Sequence, residues 1–143
     1  QRVPRVSLTQ ASRLRVFLHR NGATLVRAMA SKANPRWTEG TTMMVRNMPR
    51  KYTSWELVRE LTRFFSVTEF DFVYVPWDRN GHSNMGLGFV NFKDAATAAK
   101  SPEIMADHGW TITEHTRRMQ VQSAHQQGLE ENLRRYTENL ARR

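Results

Sequence analysis

The 143-residue sequence contains no cysteine. Disulfide bonds, thiolate metal sites and cysteine nucleophiles are therefore excluded, while the redox compartment of the protein is left undetermined. Long apolar runs are also missing, because no uninterrupted stretch approaches the roughly 18 residues that a membrane helix needs. The sequence predicts no membrane span, and its length fits one domain with an extension.

Signals for catalysis are absent from the sequence as well. There is no glycine-rich phosphate cradle before a helix, no serine elbow and no motif that pairs a nucleophile with a base. The histidines do not have the paired spacing of metal ligands: His19, His82, His108, His115 and His125. We therefore predict a protein that is not an enzyme, with no metal, no cofactor and no small-molecule substrate.

Acidic residues are missing from positions 1 to 38, which carry eight basic residues: Arg2, Arg5, Arg13, Arg15, Arg20, Arg27, Lys32 and Arg36. The rest of the chain is nearly neutral, with 14 basic and 13 acidic residues. Apolar residues at helical spacing predict a helix over about 8–33, capped by Ser7 and ended by Asn34-Pro35. We therefore expect a basic helical extension and linker over 1–40.

Three interpretations of this extension stay open. It is an arm that binds nucleic-acid phosphates, a solvated helix that packs on the domain or on a neighbouring protein, or an organellar transit sequence.

The remaining sequence alternates strand and helix patterns. The predicted order is a strand at 41–48, a helix at 54–65, strands at 70–76 and 85–92, a helix at 94–106, a strand at 118–124 and a helix at 128–142. Thr53-Ser54-Trp55-Glu56 is a capping box, Asp94 is a helix cap, and Asn80-Gly81 marks a turn. The order β-α-β-β-α-β predicts an α+β, ferredoxin-like fold with a four-stranded antiparallel sheet. We place this domain at 41–126 and a C-terminal amphipathic helix at 127–143.

Two predicted central strands, 41–48 and 85–92, are typical of an RNA-recognition motif (RRM). In that fold, alternate residues on the open face of the sheet stack against nucleotide bases. Three positions normally hold the stacking rings, and here they are Met44, Leu87 and Phe89. The platform therefore has one ring where a full motif has three.

Segments 46–53, 70–76 and 84–92 resemble the C-terminal RRM of the Mei-two-like proteins, a group of eukaryotic meiotic and developmental RNA-binding regulators. The resemblance covers about residues 41–140. It departs from the family at Leu87, where an aromatic is usual, and at Arg50, where asparagine is usual. The resemblance implies an RRM fold, RNA as the partner and an intracellular location in nucleus or cytoplasm. The acid-free, arginine-rich N-terminal segment leaves a mitochondrion or plastid open as an alternative.

Strand alternation predicts which side chains face outward. In addition to residues of the two central strands, we place Asp71, Val73 and Val75 on the open face, because a lone carboxylate is rarely buried. The candidate RNA-binding residues are Met44, Arg46, Arg50, Lys51, Leu87, Phe89, Asn91, Gln120 and Gln122. Phe89 would stack on a base, Arg46 would contact phosphate or base edges, and the amides would donate and accept hydrogen bonds.

The last predicted helix has an apolar stripe of Leu129, Leu133, Tyr136 and Leu140. This stripe needs a partner, and the open-face patch of Met44, Val73, Leu87 and Phe89 is a candidate. Two hypotheses follow. The chain is an RNA-binding module with a weakened platform, or it is a structural subunit of a large, for example organellar, ribonucleoprotein or protein assembly in which a helix or partner covers the sheet.

Overall fold

The computed structural model describes residues 14–18, 24–28 and 40–142, and for 14–18, 24–28 and Leu140 it describes the backbone alone. The elements in chain order are β1 Leu14–Leu18, β2 Thr24–Ala28, β3 Thr42–Arg46, α1 Ser54–Leu61, β4 Phe70–Tyr74, β5 Leu87–Phe92, α2 Ala95–Met105, β6 Gln120–Ser123 and α3 Leu129–Ala141. The predicted β-α-β-β-α-β order is therefore confirmed for β3 to β6, followed by the predicted C-terminal helix.

The strands form one sheet in the order β1-β2-β4-β5-β3-β6, and every neighbouring pair is antiparallel. The strands β3 and β5 lie side by side at the centre of the ferredoxin-like part, with Met44 opposite Phe89 and Arg46 opposite Leu87. This arrangement confirms the predicted four-stranded antiparallel sheet and extends it by two strands at the β4 edge.

The helix predicted over 8–33 is wrong for the residues that the structure describes there. Residues 14–18 and 24–28 are strands, paired to each other in register and joined to β4 through Thr24 and Val73. The physical reason lies in their composition, because β-branched and aromatic residues favour pleated structure over helix. Asn21-Gly22, between the two segments, is also a common hairpin dipeptide in sequences. The other residues of the predicted helix lie outside the described ranges.

The predicted helix caps are confirmed. The Trp55 amide donates to Thr53 Oγ1 at 3.2 Å, and the Thr53 amide donates to Glu56 Oε2 at 2.9 Å. Asp94 Oδ1 accepts from the amide of Ala96 at 2.7 Å. These bonds satisfy backbone donors that a helix start leaves without intrahelical partners, and so they fix where α1 and α2 begin.

The core lies between the sheet and helices α1 and α2. As predicted, Met43, Val45, Val90 and Phe92 point inward and are at most 3% exposed. The Phe65 and Phe92 rings meet edge to face, with 4.9 Å between their centres. Each such buried side chain contributes about 1.5–3 kcal/mol of hydrophobic stabilisation, which holds the sheet against the helices.

The orientation predicted for β4 is partly wrong. A bulge lies between Phe70 and Phe72, where the pairing with β5 shifts register. Asp71 accepts a hydrogen bond from Asn91 and is only 5% exposed, so its carboxylate is buried, contrary to the expectation. Val73 and Val75, which were also placed outward, belong to the buried core. The extra residue of the bulge reverses the alternation beyond it, so that Phe72 and Tyr74 face the open side instead.

The segment between α2 and β6 is tied to α1 by a buried polar cluster. The Tyr52 hydroxyl donates to Glu60 Oε2 at 3.0 Å, and the same carboxylate oxygen accepts from the Thr111 amide at 2.9 Å. The Tyr52 ring also meets the Trp110 ring edge to face at 5.5 Å. Burial, reinforced by the nearby Glu60 carboxylate, raises the pKa of Tyr52 to about 12. Tyr52 therefore anchors this loop.

Gly88 gives a direct test of the packing between β5 and α1. A Cβ at this position would lie 2.5 Å from Leu57 Cδ2 and 3.2 Å from Val75 Cγ2. We expect Gly88→Ala to lower the free energy of unfolding by about 1–3 kcal/mol in urea denaturation, because the core would be overpacked. Gly109→Ala is the matched control, since a Cβ there meets nothing within 4 Å. Equal stability of the two variants would contradict this account of the core.

Candidate nucleic-acid interface

The two central strands bring most of the predicted binding residues together. Met44 lies between Phe89 on β5 and Gln122 on β6, as the pairing of β3 with both strands requires. Arg46, one step further along the open face, lies between Leu87 and Gln120. Met44, Leu87 and Phe89 are half-buried, whereas Arg46 and both glutamines are exposed. Six of the nine predicted residues therefore form one continuous surface.

Two rings on this surface were missed by the sequence analysis. Tyr74 lies beside Phe89 with 6.5 Å between ring centres and 18° between ring planes, so the two rings are nearly parallel. Phe72 follows at 6.4 Å from Tyr74. The signal was present in the alternating aromatics of Phe70-Asp71-Phe72-Val73-Tyr74, but only the bulge decides which of these rings point outward.

Helix α3 packs against this aromatic surface. Its Tyr136 ring meets the Tyr74 ring at 5.5 Å and 72°, and the Phe72 ring at 6.5 Å and 77°. Docking of the last helix on the sheet, one of the two alternatives that the sequence left open, is therefore observed at Tyr136. Its partner on β4 is the pair Phe72 and Tyr74 rather than Val73, which is buried on the opposite side.

A cleft with a volume of about 330 Å³ lies between α3 and the sheet. Its floor is apolar and is made by Met44, Phe72, Tyr74, Pro76 and Phe89. Its α3 wall is made by Asn132, Arg135, Tyr136 and Asn139. The helix thus covers part of the face while leaving a space over the central stacking position.

A polar strip lies along the β6 side of the same face. Arg46 Nη1 donates to Gln122 Oε1 at 3.2 Å, and Gln120 Nε2 donates to Asp107 Oδ1 at 3.0 Å. These side chains are exposed, so their contacts are weak and exchange readily with water or with a polar ligand. The strip offers one cation and two amides next to the rings.

Asn91 does not belong to the accessible surface. It is 3% exposed, and its Oδ1 accepts from the hydroxyls of Thr41 and Thr42, each at 2.8 Å. Its Nδ2 donates to Asp71 Oδ1 at 2.8 Å. Both ends of the amide are thus used inside the protein, and the contact with RNA predicted for Asn91 is not available in this structure.

The Thr42 hydroxyl also holds the beginning of α3. It accepts from the Gly128 amide at 3.0 Å and from Asn132 Nδ2 at 2.9 Å. The Gln127 side chain accepts from the Thr42 amide at 2.8 Å and donates to its carbonyl at 2.9 Å. These bonds, of which the two to the Thr42 hydroxyl are buried, hold the start of α3 beside the start of β3.

Comparison with known families settles the fold family. Residues 40–137 match the family model described as RNA recognition motif 2. The chain belongs to this RRM family. The resemblance to the Mei-two-like proteins is confirmed by the same match and by similar proteins in plants.

Relatives of this RRM occur in plants. This chain is 30% identical over 104 residues to Protein terminal ear1 of Zea mays, and the alignment covers 63% of this chain and 16% of that protein. It is 41% identical over 51 residues to Protein MEI2-like 2 of Oryza sativa subsp. japonica, covering 36% of this chain and 6% of that protein. The alignments therefore span a small part of each relative.

Solved structures show the same fold. An Sxl-lethal protein/RNA complex superposes with a TM-score of 0.55 at 15% identity, covering 69% of this chain and 56% of that chain. The C. elegans NONO-1 homodimer superposes with a TM-score of 0.50 at 14% identity, covering 71% of this chain and 36% of that chain. At these identities the likeness concerns the architecture alone.

Arg50 and Lys51 of the RRM lie away from the strands, in the loop after β3. Arg50 Nη1 donates to the Asn84 carbonyl at 3.0 Å, and Lys51 Nζ donates to the His82 carbonyl. Both side chains are exposed and contact the loop that joins β4 to β5. They make a separate basic edge rather than part of the ring surface.

The predicted basic arm is described only in part. Arg15 and Arg27 are opposite each other in the pairing of β1 with β2. The remaining six residues, Arg2, Arg5, Arg13, Arg20, Lys32 and Arg36, lie outside the described ranges.

In the described part of the chain, no group of three or more histidine and acidic residues is placed to hold a metal ion. Within the same residues, no helix is long and apolar enough to cross a membrane.

The buried Asp71 carboxyl is expected to make the stability of the RRM depend on pH. Desolvation raises the pKa of this carboxyl, while the Asn91 hydrogen bond and the Lys93 charge partly oppose the rise. A raised pKa means that the folded protein binds the proton more tightly than the unfolded chain. Stability is therefore expected to fall as the pH rises through the pKa of the folded state.

We expect wild type to gain stability relative to Asp71→Asn as the pH falls from about 7 toward the ordinary aspartate pKa of about 3.9. Urea denaturation of both proteins across this range measures the difference, in which the other titrating groups largely cancel. A difference that is constant, or that changes in favour of Asp71→Asn at low pH, would contradict the assignment.

Proposed function

We propose that this RRM binds single-stranded RNA through the open face of its sheet. The observation that carries the proposal is the nearly parallel pair Phe89 and Tyr74, 6.5 Å apart, beside the exposed Arg46 and Gln122. Rings on a sheet stack on unpaired bases, while a guanidinium and an amide contact phosphates and base edges. Arg50 and Lys51 would extend the contact along the neighbouring loop.

Binding through this face alone is expected to be weak. Base–aromatic stacking contributes about 1–3 kcal/mol per base, and two of the three usual stacking positions are Met44 and Leu87. Tyr74, which lies beside Phe89 on β4, offsets part of this loss. Burial of Asn91 removes one amide from the base-reading groups, so Gln120 and Gln122 would supply the hydrogen bonds.

The acid-free segment 1–38 would supply long-range attraction. It carries eight basic residues, whereas the rest of the chain is nearly neutral, with 14 basic and 13 acidic residues. Contacts of such a segment with phosphates release counterions and make binding depend steeply on salt. Non-catalytic RNA binding in an intracellular compartment is the function that we propose for this chain.

Helix α3 favours a second candidate function. Because Tyr136 packs on Phe72 and Tyr74, part of the open face is already covered. In this alternative the RRM is a docking subunit of a large assembly whose sheet is closed by its own helix or by a partner protein. Absence of binding to single-stranded RNA at physiological salt, together with co-purification in a large particle, would favour this candidate.

Phe89→Ala tests the proposed interface. Loss of one stacking platform is expected to raise the Kd for single-stranded RNA by about 5- to 150-fold in fluorescence anisotropy. Ile104→Ala is the matched control, because it removes an exposed apolar side chain from α2, on the other side of the sheet. Equal affinities of Phe89→Ala and wild type would refute the role of this face.

The basic segment is tested by replacing Arg2, Arg5 and Arg13 together with glutamine, which leaves β1 and β2 unchanged. We expect weaker binding to all RNA sequences and a smaller slope of log Kd against log salt, by about 0.7 for each phosphate that the variant no longer neutralises. A variant with Arg59→Gln and Lys100→Gln removes exposed charges from α1 and α2 and serves as the control. An unchanged salt slope in the triple variant would exclude phosphate contacts by these residues.

A further inference from the structure

The cleft between α3 and the sheet is more than the gap left by an imperfectly packed helix. Its floor presents the nearly parallel rings of Tyr74 and Phe89, 18° apart, and its wall presents the Tyr136 ring at 72° to Tyr74. Flat apolar surfaces on two sides of a space of about 330 Å³ are suited to a flat apolar ligand. That volume is at the lower end of the range for small-molecule pockets, so the cleft is too small for a docked helix.

The polar groups of the cleft lie on the α3 side and along its rim. Asn139 is exposed, and its side-chain amide can both donate and accept. The Gln126 amide lies against the Arg135 guanidinium, whose nitrogens are 2.9 to 3.3 Å from it. An amide that can read the edge of a ring and a guanidinium that can meet a phosphate therefore flank the same apolar space.

The wall of the cleft is fixed in place. The start of α3 is held by the Thr42 hydroxyl, which accepts from both Gly128 and Asn132, and Asn132 is 6% exposed. Tyr136 follows Asn132 by about one helical turn, so these buried bonds set the position of its ring. A wall held by buried hydrogen bonds is pre-organised for a ligand, whereas a lid that must leave before binding has no need of such an anchor.

We propose that this cleft takes a single unpaired nucleobase, and that α3 forms one wall of the RNA site rather than a cover over it. The inference rests on the proposed RNA-binding function and deepens it. The base would lie over the Phe89 and Tyr74 floor with its face or edge against Tyr136. Its polar edge would meet Asn139, and the adjoining phosphate would lie toward Arg135. The basic character of residues 1–38 favours a polyanion over an apolar peptide as the occupant.

Removal of the Tyr136 ring tests whether α3 forms part of the RNA site or blocks access to the sheet. We expect Tyr136→Ala to raise the Kd for short homopolymeric RNAs by about five-fold or more in fluorescence anisotropy, because the base would have one ring fewer to pack against. Tyr136→Phe is expected to bind within about two-fold of wild type, since the ring is kept. Thr137→Ala is the matched control, because Thr137 is exposed and its hydroxyl bonds only within α3, to the Leu133 carbonyl.

The possible outcomes are distinct. Tighter binding by Tyr136→Ala would show that α3 covers the sheet, and unchanged binding would show that the ring touches no base. Either result overturns the inference, while a loss of affinity in Phe89→Ala would still uphold the proposed function. Absence of RNA binding by the wild type would overturn both.

A second measurement does not depend on how Tyr136→Ala folds. RNA that carries 5-iodouridine is photo-crosslinked to the wild-type chain, and the crosslinked peptides are identified by mass spectrometry. A crosslink at Tyr136 is expected if the base enters the cleft. Crosslinks confined to residues outside α3 and the cleft floor would overturn the inference.

Discussion

The β-bulge between Phe70 and Phe72 is the constraint on which the open face depends. Without it, strict alternation would turn the three aromatic residues of β4 to the same side of the sheet. The extra residue instead sends Phe70 into the core and leaves Phe72 and Tyr74 outward. Because of this bulge, Phe70 contributes to the core, whereas Phe72 and Tyr74 contribute to the surface on which Tyr136 of α3 packs.

The position of α3 depends in turn on a few buried polar groups. Thr42 donates to Asn91 and accepts from Gly128 and Asn132, so that its hydroxyl uses its full hydrogen-bonding capacity. The neighbouring Asp71 is held in the same cluster through Asn91. Because an unpaired buried polar group costs free energy, this network fixes one arrangement of helix on sheet rather than several. The start of α3 is therefore tied to the sheet beside the ring surface.

Sequence patterns predicted the fold well wherever local chemistry decides it. The Thr53 and Asp94 caps and the inward positions of Met43 and Val90 follow from side-chain chemistry and the two-residue period of a strand. The central pairing of β3 with β5 follows from the likeness of these segments to an RRM. Val73 was predicted on the wrong face of the sheet because the sequence of β4 does not reveal the bulge between Phe70 and Phe72. The exposure of Asn91 was wrongly predicted because its partners Thr42 and Asp71 come from other strands. Residues 14–18 and 24–28 were wrongly predicted because their apolar spacing fits both a helix and a strand.

The pairing of β2 with β4 also changes which strand lies at the edge of the sheet. In a four-stranded sheet β4 would be a border strand, with unpaired amide and carbonyl groups that invite strand addition from another chain. Here β2 occupies that side, and among the described strands the border moves outward to β1, a short strand that includes Arg15. Short border strands that carry a charge resist edge-to-edge association, so pairing with β2 leaves β4 less open to strand addition than it is in a four-stranded sheet.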